Sequence, residues 1–439
     1  MQKLNVDTSK DPLTPDVLLV LQLLAANEPF LPNSKTFKCE KATGAFIPFI
    51  SLFLSPNTTE ILIGFARGPP EVVVASMVSR FPALCPDLES ITLKGLPRNS
   101  VIIDGVSEMV LACNRNTLRI FQVDSPLTEE ARKVVYRLPR LTALWGVIQG
   151  PTSLPTVALP DLTMIDVEYE DDLNWLQGFR GARLRKLEDA SFRTESNQIG
   201  DFLRTFEGLA LTASAQNTLS AFGFYTSSSW NPNYSSLLSF TQLKELEIEF
   251  SCNGGCSSRV DDDIIISLAR AMPKLEILQL GEAPCKTPTG ITVNGLIGLA
   301  SCCLHLSKLC VHFQAISLAD AAVNAMTPSP SDDEPIARRE DCALTDLTVG
   351  EIPIPAQSAL MVTLILLQIF PRILNINYTN REWKTVAKTI KHFNRIGAFV
   401  HRSGMGYRST HSTALTNVLL GDAVAVRRPS EDGQALLFK

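Results

Sequence analysis

The sequence carries little charge and no basic excess: 19% of its 439 residues are Asp, Glu, Lys or Arg, and the formal net charge is -5. A general nucleic-acid binder needs a basic stripe to neutralise phosphates, so that class is not expected. Arg427-Arg428 and the segment from Lys384 to Lys391 are short basic runs that read as solvated faces. Long apolar runs are missing too. The most hydrophobic window, Ala359 to Phe370, falls short of the roughly 20 residues that a bilayer-spanning helix needs, and reads as a buried helix. The stretch from Met1 to Lys10 is polar and lacks the apolar core of a secretory signal. A soluble protein of the cytoplasm or nucleus is expected, with neither membrane nor nucleic acid as partner.

Catalytic signatures are equally scarce. There is no Gly-rich phosphate loop, no Gly-x-Ser-x-Gly elbow and no His-Glu-x-x-His. Asp261-Asp262-Asp263 precedes a helical stretch beginning at Ile264, where carboxylates suit the positive end of the helix dipole, so capping is expected in place of a divalent cation site. Cys252 and Cys256 bracket Asn253-Gly254-Gly255, but no histidine lies near them in sequence, and zinc sites want further ligands at defined spacing. No catalytic residue, metal or cofactor is expected, and the chain is not read as an enzyme. The ten cysteines are scattered, several at positions where a small apolar core residue would serve.

What the sequence has is apolar content, 45% of residues, organised as a recurring phrase: apolar, two variable residues, apolar, one variable, apolar. It reads Leu88-x-x-Ile91-x-Leu93, Leu118-x-x-Phe121-x-Val123 and Leu162-x-x-Ile165-x-Val167. Cleaner copies follow at Leu243-x-x-Leu246-x-Ile248, Leu275-x-x-Leu278-x-Leu280, Leu306-x-x-Leu309-x-Val311, Leu344-x-x-Leu347-x-Val349 and Ile373-x-x-Ile376-x-Tyr378. Weaker copies stand around Phe37, Ile61, Leu144, Leu187 and Phe222. The last two apolar positions alternate with variable ones, as in a short strand with one buried face. Helical stretches precede several copies: Ile264 to Met272 before Pro273, Gly295 to Cys303, and Ala359 to Phe370 before Pro371. Proline there stops the helix and favours an extended entry to the strand. A single helix–turn–strand unit cannot bury its own apolar face, so neighbours must stack. The expected fold is an α/β leucine-rich-repeat solenoid, curved, with a parallel concave sheet and helices on the convex side.

The solenoid is expected to occupy residues 1–401. Met326 to Asp341 interrupts it with little apolar content and reads as a mobile insertion; Thr327-Pro328 and Ser329-Pro330 within it have the form of proline-directed phosphorylation sites, although a plain disordered loop is the simpler account. Residues 402–439 are polar and irregular and read as a loose tail.

Solenoids of this kind bind through the concave sheet, where the variable strand positions point outward. Those positions are Thr92, Lys94, Gln122, Asp124, Asp166, Glu168, Glu247, Glu249, Gln279, His312, Thr348 and Asn377. Asp124, Asp166, Glu168, Glu247 and Glu249 make the centre acidic, and with Gln279 and His312 they are the candidate contacts to a protein partner, one that is basic if the carboxylates form a band.

The order of the copies, with Leu13-Thr14-Pro15-Asp16-Val17-Leu18, Pro29-Phe30-Leu31-Pro32-Asn33, the stretch Phe46 to Pro56 and the phrase Phe81 to Leu88, resembles the F-box/leucine-rich-repeat proteins expanded in fungi. The resemblance implies the substrate-recognition repeats of a ubiquitin-ligase receptor, and through the family a Skp-type adaptor as partner. Family members usually begin with an F-box, a small helical module opened by a Leu-Pro-x-Glu-like helix. Here the first strand-like copy falls near Phe37, and Leu18 to Leu24 reads as the helix of the first repeat, which leaves no room for that module. Either the F-box is lost from this chain, or the chain is a repeat-only relative with no ligase role.

Overall fold

A computed structural model describes residues 3–6, 14–25, 29–66, 68–148, 159–169, 184, 186–194, 217–226, 234–250, 260–281, 290–311, 313, 342–349, 354, 358–378 and 380–402. The expected insertion at 326–341 and residues 403–439 of the expected tail lie outside these, as do Cys252, Cys256 and His312.

Each copy of the apolar phrase closes as a short strand. In chain order they are β1 (Lys3–Val6), β2 (Thr36–Ala42), β3 (Glu60–Phe65), β4 (Ser90–Lys94), β5 (Ile120–Pro126), β6 (Ala143–Ile148) and β7 (Met164–Tyr169). They continue as β8 (Asp189–Thr194), β9 (Ala221–Thr226), β10 (Glu245–Phe250), β11 (Ile277–Leu280), β12 (Lys308–Val311), β13 (Asp346–Val349) and β14 (Asn375–Tyr378). All fourteen form one sheet in which spatial order equals chain order, and every neighbouring pair is parallel. A parallel neighbour requires a crossover, and the crossovers here carry the helices. These are α1 (Pro15–Ala25), α2 (Glu71–Ser79), α3 (Phe81–Leu84), α4 (Ser100–Ala112), α5 (Glu129–Val135), α6 (Asp262–Ala271), α7 (Val293–Cys302) and α8 (Ala359–Ile369), and a further helix, α9 (Trp383–Arg402), follows β14. Among the described residues two 3-10 segments, Ile47–Phe53 and Tyr234–Ser239, do the same work where a repeat is short. The chain is a leucine-rich-repeat α/β solenoid, open at both ends of its sheet.

The core lies between sheet and helices and runs the length of the array. Leu246 pairs in register with Leu278, Leu278 with Leu309, and Leu309 with Leu347, and all four are buried. Toward the other end the same column passes through Phe222, Ala190, Ile165, Leu144 and Phe121. Ala190 is small, and the rings of Phe192 and Phe222 meet beside it with centroids 6.1 Å apart. Repeats are also stitched outside the strands. The Asp189 and Glu188 amides both donate to the Thr163 carbonyl, and the next repeat takes over at once, with Ser220 and Ala221 donating to Glu188. Hydroxyls reinforce the step: Thr142 to the Arg119 carbonyl, Thr163 to Thr142, Thr218 to Leu187 and Ser307 to Glu276.

The three aspartates at 261–263 divide their work. Asp261 caps its own helix, accepting from the Ile264 amide at 3.0 Å. Asp262 reaches into the next repeat, where its carboxylate accepts from the Thr292 amide at 2.7 Å, the Thr292 hydroxyl at 2.5 Å and the Gly295 amide at 3.1 Å. It therefore satisfies amides at the start of α7 that the helix itself leaves open.

Several sequence expectations need adjustment. The helices begin or end one or two residues from the apolar runs, Asp262–Ala271 and Val293–Cys302 being shifted by their polar caps. β1 precedes the first copy that the pattern shows, because Leu4-x-Val6 is too short to register as a repeat. Thr92 does not face solvent as expected but is buried, crowded by strands on both sides. Tyr378, read as a core position, is 37% exposed, since it sits on the strand at the edge of the described sheet. Among the described residues no helix is long and apolar enough to cross a membrane.

Replacing Asp262 by Ala should cost about 1–3 kcal/mol, because it strands buried-side donors of the following repeat. Asp263→Ala, at an exposed position of the same turn, should cost less than about 0.5 kcal/mol. Denaturant midpoints of the two variants check this.

Candidate functional site

The register that aligns the core also aligns the opposite face of the sheet, where alternate residues turn away from the helices. One row runs Trp145, Asp166, Ser191, Gly223, Glu247, Gln279, Cys310 and Thr348. The next row toward the strand ends runs Glu168, Arg193, Tyr225 and Glu249. A third, at the strand starts, holds Met164, Asp189, Ala221 and Glu245. Most of these side chains are half-buried, packed between their neighbours on adjoining strands.

The structure distributes the expected contacts unevenly. Asp124 lies toward the N-terminal side and accepts from the Gly95 amide at 2.9 Å, holding the left-handed turn there (φ 73°). Glu168 pairs with Arg98 at 2.7 Å. Glu247 accepts from the Tyr225 hydroxyl at 2.6 Å, and the Gln279 amide donates to Glu249. Asp166 accepts from the Ser191 hydroxyl. His312 lies outside the described residues. Asp166 and Glu168 on β7 stand three strands from Glu247 and Glu249 on β10, about 14 Å at the usual strand spacing. The carboxylates thus form two edges with a different centre between them.

That centre consists of Arg193, Tyr225, Ser191 and Gly223. The Arg193 guanidinium lies 5.3 Å from the middle of the Tyr225 ring, a cation–π contact, and it also attracts Asp166. Tyr225 lies flat across Gly223: a Cβ there would stand 3.0 Å from the ring and 3.2 Å from its hydroxyl. Glycine is what lets the ring reach Glu247. Two further carboxylates complete the ring of charge, Asp189 on β8 and Glu245 on β10, on either side of Ala221.

Charge crowding is written into the acidities. Burial raises the Asp189 carboxyl above its ordinary range, and Asp166, Glu245 and Glu247 raise it further. Asp166 is raised by burial, against the lowering effect of Arg193 and Ser191. Burial and the Glu247 bond raise the Tyr225 phenol. Cys310, next along from Gln279, is pushed up to about 11 by burial and by Glu249 and Glu247, so its thiol stays protonated and is a poor nucleophile. Among the described residues no group of His, Cys, Asp and Glu side chains is placed to hold a metal ion.

Asp189, Glu245, Arg193 and Tyr225 were absent from the sequence-derived candidates. The signal existed: continuing the alternation through the weak copies at Leu187 and Phe222 places 189, 191 and 193, and 223 and 225, on the open face.

No protein-family model matches the chain, and no curated protein matches it. Among solved structures the chain is similar to a leucine-rich-repeat protein of Leptospira interrogans, at 11% identity and a TM-score of 0.37, over 87% of this chain and 92% of that one. It is also similar to a chain of the yeast Rad7–Elc1 complex, at 13% identity and a TM-score of 0.30, over 84% of this chain and 86% of that one.

A carboxyl whose folded-state pKa is raised binds more protons folded than unfolded, so its contribution to stability falls as pH rises through the window between its ordinary and raised values. Asp189→Asn should therefore raise the melting temperature at neutral pH, by on the order of 1 °C, with the gain vanishing below the ordinary carboxylate range. Thermal melts of both proteins across acid and neutral pH check the sign.

Proposed function

We propose that the chain is a protein-interaction repeat module that holds a basic segment of a partner against the face of β7–β10, with Asp166, Asp189, Glu245, Glu247 and Glu249 as the charges it meets. The observation that carries this is the register that sets these carboxylates on one face of neighbouring strands; burial raises Asp189 there, and Asp166, Glu245 and Glu247 raise it further. A partner's ammonium or guanidinium relieves that repulsion and favours the ionised forms. Tyr225 and Arg193 offer a flat central contact between the acidic edges. Asp124 and Glu168 are tied to Gly95 and Arg98, so their role is to shape the N-terminal border of the face, with Gln279 bordering it on the other side. His312 stays a candidate from the sequence pattern alone. No catalytic residue, metal or cofactor is assigned, and neither nucleic acid nor membrane is the partner proposed.

At a finer level, we read the module as the substrate-recognition repeats of an F-box-type ubiquitin-ligase receptor, working in the cytoplasm or nucleus. The support is the sequence resemblance through Leu13 to Phe65, together with the apolar side that α1 leaves open near β1: Val17, Leu19, Val20 and Leu23 are all exposed, the last at 74%. The second reading is a free-standing repeat scaffold. A pull-down from the native cell, probed for a Skp-type adaptor and cullin, separates them. Recovery supports the receptor, and their absence while other proteins are retained supports the scaffold.

Glu247→Lys combined with Glu249→Lys should weaken binding of a decalysine peptide by on the order of tenfold or more. Binding to the unaltered protein should weaken with salt, and should weaken as pH falls and the raised carboxyls take up protons. Unchanged affinity in the double variant, measured by fluorescence anisotropy, would sink the acidic-face assignment.

A further inference from the structure

The last helix carries a charge pattern opposite to that of the sheet. Lys384, Lys388, Lys391 and Arg395 are spaced four, three and four residues apart and all are exposed, so they form one stripe along α9. No Asp or Glu occurs from Trp383 to Arg402, and the nearest, Glu382, accepts from the Ile354 amide at 2.7 Å. Among the described residues no ion pair engages the stripe. The apolar side of the helix, with Trp383, Val386, Ala387 and Ile390, is buried against the array, which removes the face that an amphipathic helix would lay into a lipid surface.

The dimensions of stripe and acidic face agree. From Lys384 to Arg395 is about 16 Å along a helix, and from β7 to β10 about 14 Å across strands. Within one molecule they cannot meet, because β11–β14 stand between β10 and α9 and place β14 about 19 Å from β10. Between two molecules nothing of the kind intervenes. We propose that α9 of one copy lies across β7–β10 of a second copy, its basic stripe set against Asp166, Asp189, Glu245 and Glu247, an inference that rests on the acidic face holding a basic partner. The contact is heterologous, since stripe and face are different surfaces, so each added copy presents a fresh stripe and a fresh face. Assembly then proceeds head to tail, into a ring if the rotation closes and into a chain if it does not.

Sedimentation velocity of the full chain over a concentration series tests this. At low ionic strength the average mass should rise with concentration, and it should fall back to the monomer in high salt. Lys388→Glu with Lys391→Glu should be monomeric, and so should Glu247→Lys with Glu249→Lys. An equimolar mixture of these two variants should associate again, because each one's altered surface complements the other's altered surface and the unaltered pair still matches. Circular dichroism verifies that each variant is folded, and Lys388→Gln with Lys391→Gln, expected to weaken association by about tenfold, serves where reversal disturbs α9. A wild-type chain that stays monomeric throughout, variants that associate as the wild type does, or a mixture that stays monomeric each overturn the proposal. Decalysine separates the two levels. If it binds the wild type through Glu247 and Glu249 while the chain remains monomeric, the self-association falls and the basic-partner face stands. If neither decalysine nor a second copy binds, both fall.

Discussion

Everything in this molecule depends on the uninterrupted parallel ladder. Fourteen strands follow one another in chain order, and at nearly every step the amide pair at a strand's start shares one carbonyl of the repeat before. A one-residue slip would turn a whole strand's core residues to solvent and put its polar residues inside. The columns of buried Leu, Ile and Phe therefore hold the register, and the register in turn decides what stands beside what on the open face. Crossover lengths vary widely without disturbing this, because loop length costs little once the ends are pinned.

The open face inherits its chemistry from that alignment. Carboxylates from β7, β8 and β10 are held within reach of one another although they come from segments far apart in the chain, and burial together with this crowding leaves Asp166 and Asp189 with raised pKa values in the folded state. A sheet selected for stability alone would place neutral residues there, as it does with Thr348 and Asn377 at the C-terminal end. The Arg193–Tyr225–Glu247 arrangement shows how a guanidinium is accommodated on this surface: it lies over a ring whose hydroxyl is anchored by a carboxylate, with Gly223 clearing the space. The chain's own Arg193 thus illustrates the kind of group that the face suits.

The fold was legible because its signal repeats. Leu246-x-Ile248 alone is an ordinary strand, but the same alternation at Leu278, Leu309 and Leu347 is an array, and each copy lands in a strand. The pattern failed at the two edges of the described sheet: β1 carries too short a phrase to register as a copy, and Tyr378 lies on an edge strand and is exposed. The face was legible only in part. Outward positions follow from alternation, which found Asp166, Glu168, Glu247 and Glu249, but strand order alone does not tell which side chains bond to which. Pairing of Glu168 with Arg98, across 70 residues, depends on the reach of two side chains and leaves no trace in the spacing. Asp189 and Tyr225 escaped because their repeats carry Ala190 and Phe192, or Phe222 and Phe224, where the clearer copies carry Leu, Ile or Val.

The central claim is that crowded carboxylates on β7–β10 are the contact surface for a positively charged partner, and proton linkage tests it most directly. Titrating decalysine into the protein at mildly acidic pH, in buffers of differing ionisation enthalpy, yields the number of protons exchanged on binding by calorimetry. The account predicts net proton release, since an added cation lowers the pKa values that burial and neighbouring carboxylates had raised, and it predicts that Asp189→Asn diminishes the release. Binding without proton release, or with release unaltered in Asp189→Asn, would contradict it and move the contact elsewhere on the solenoid.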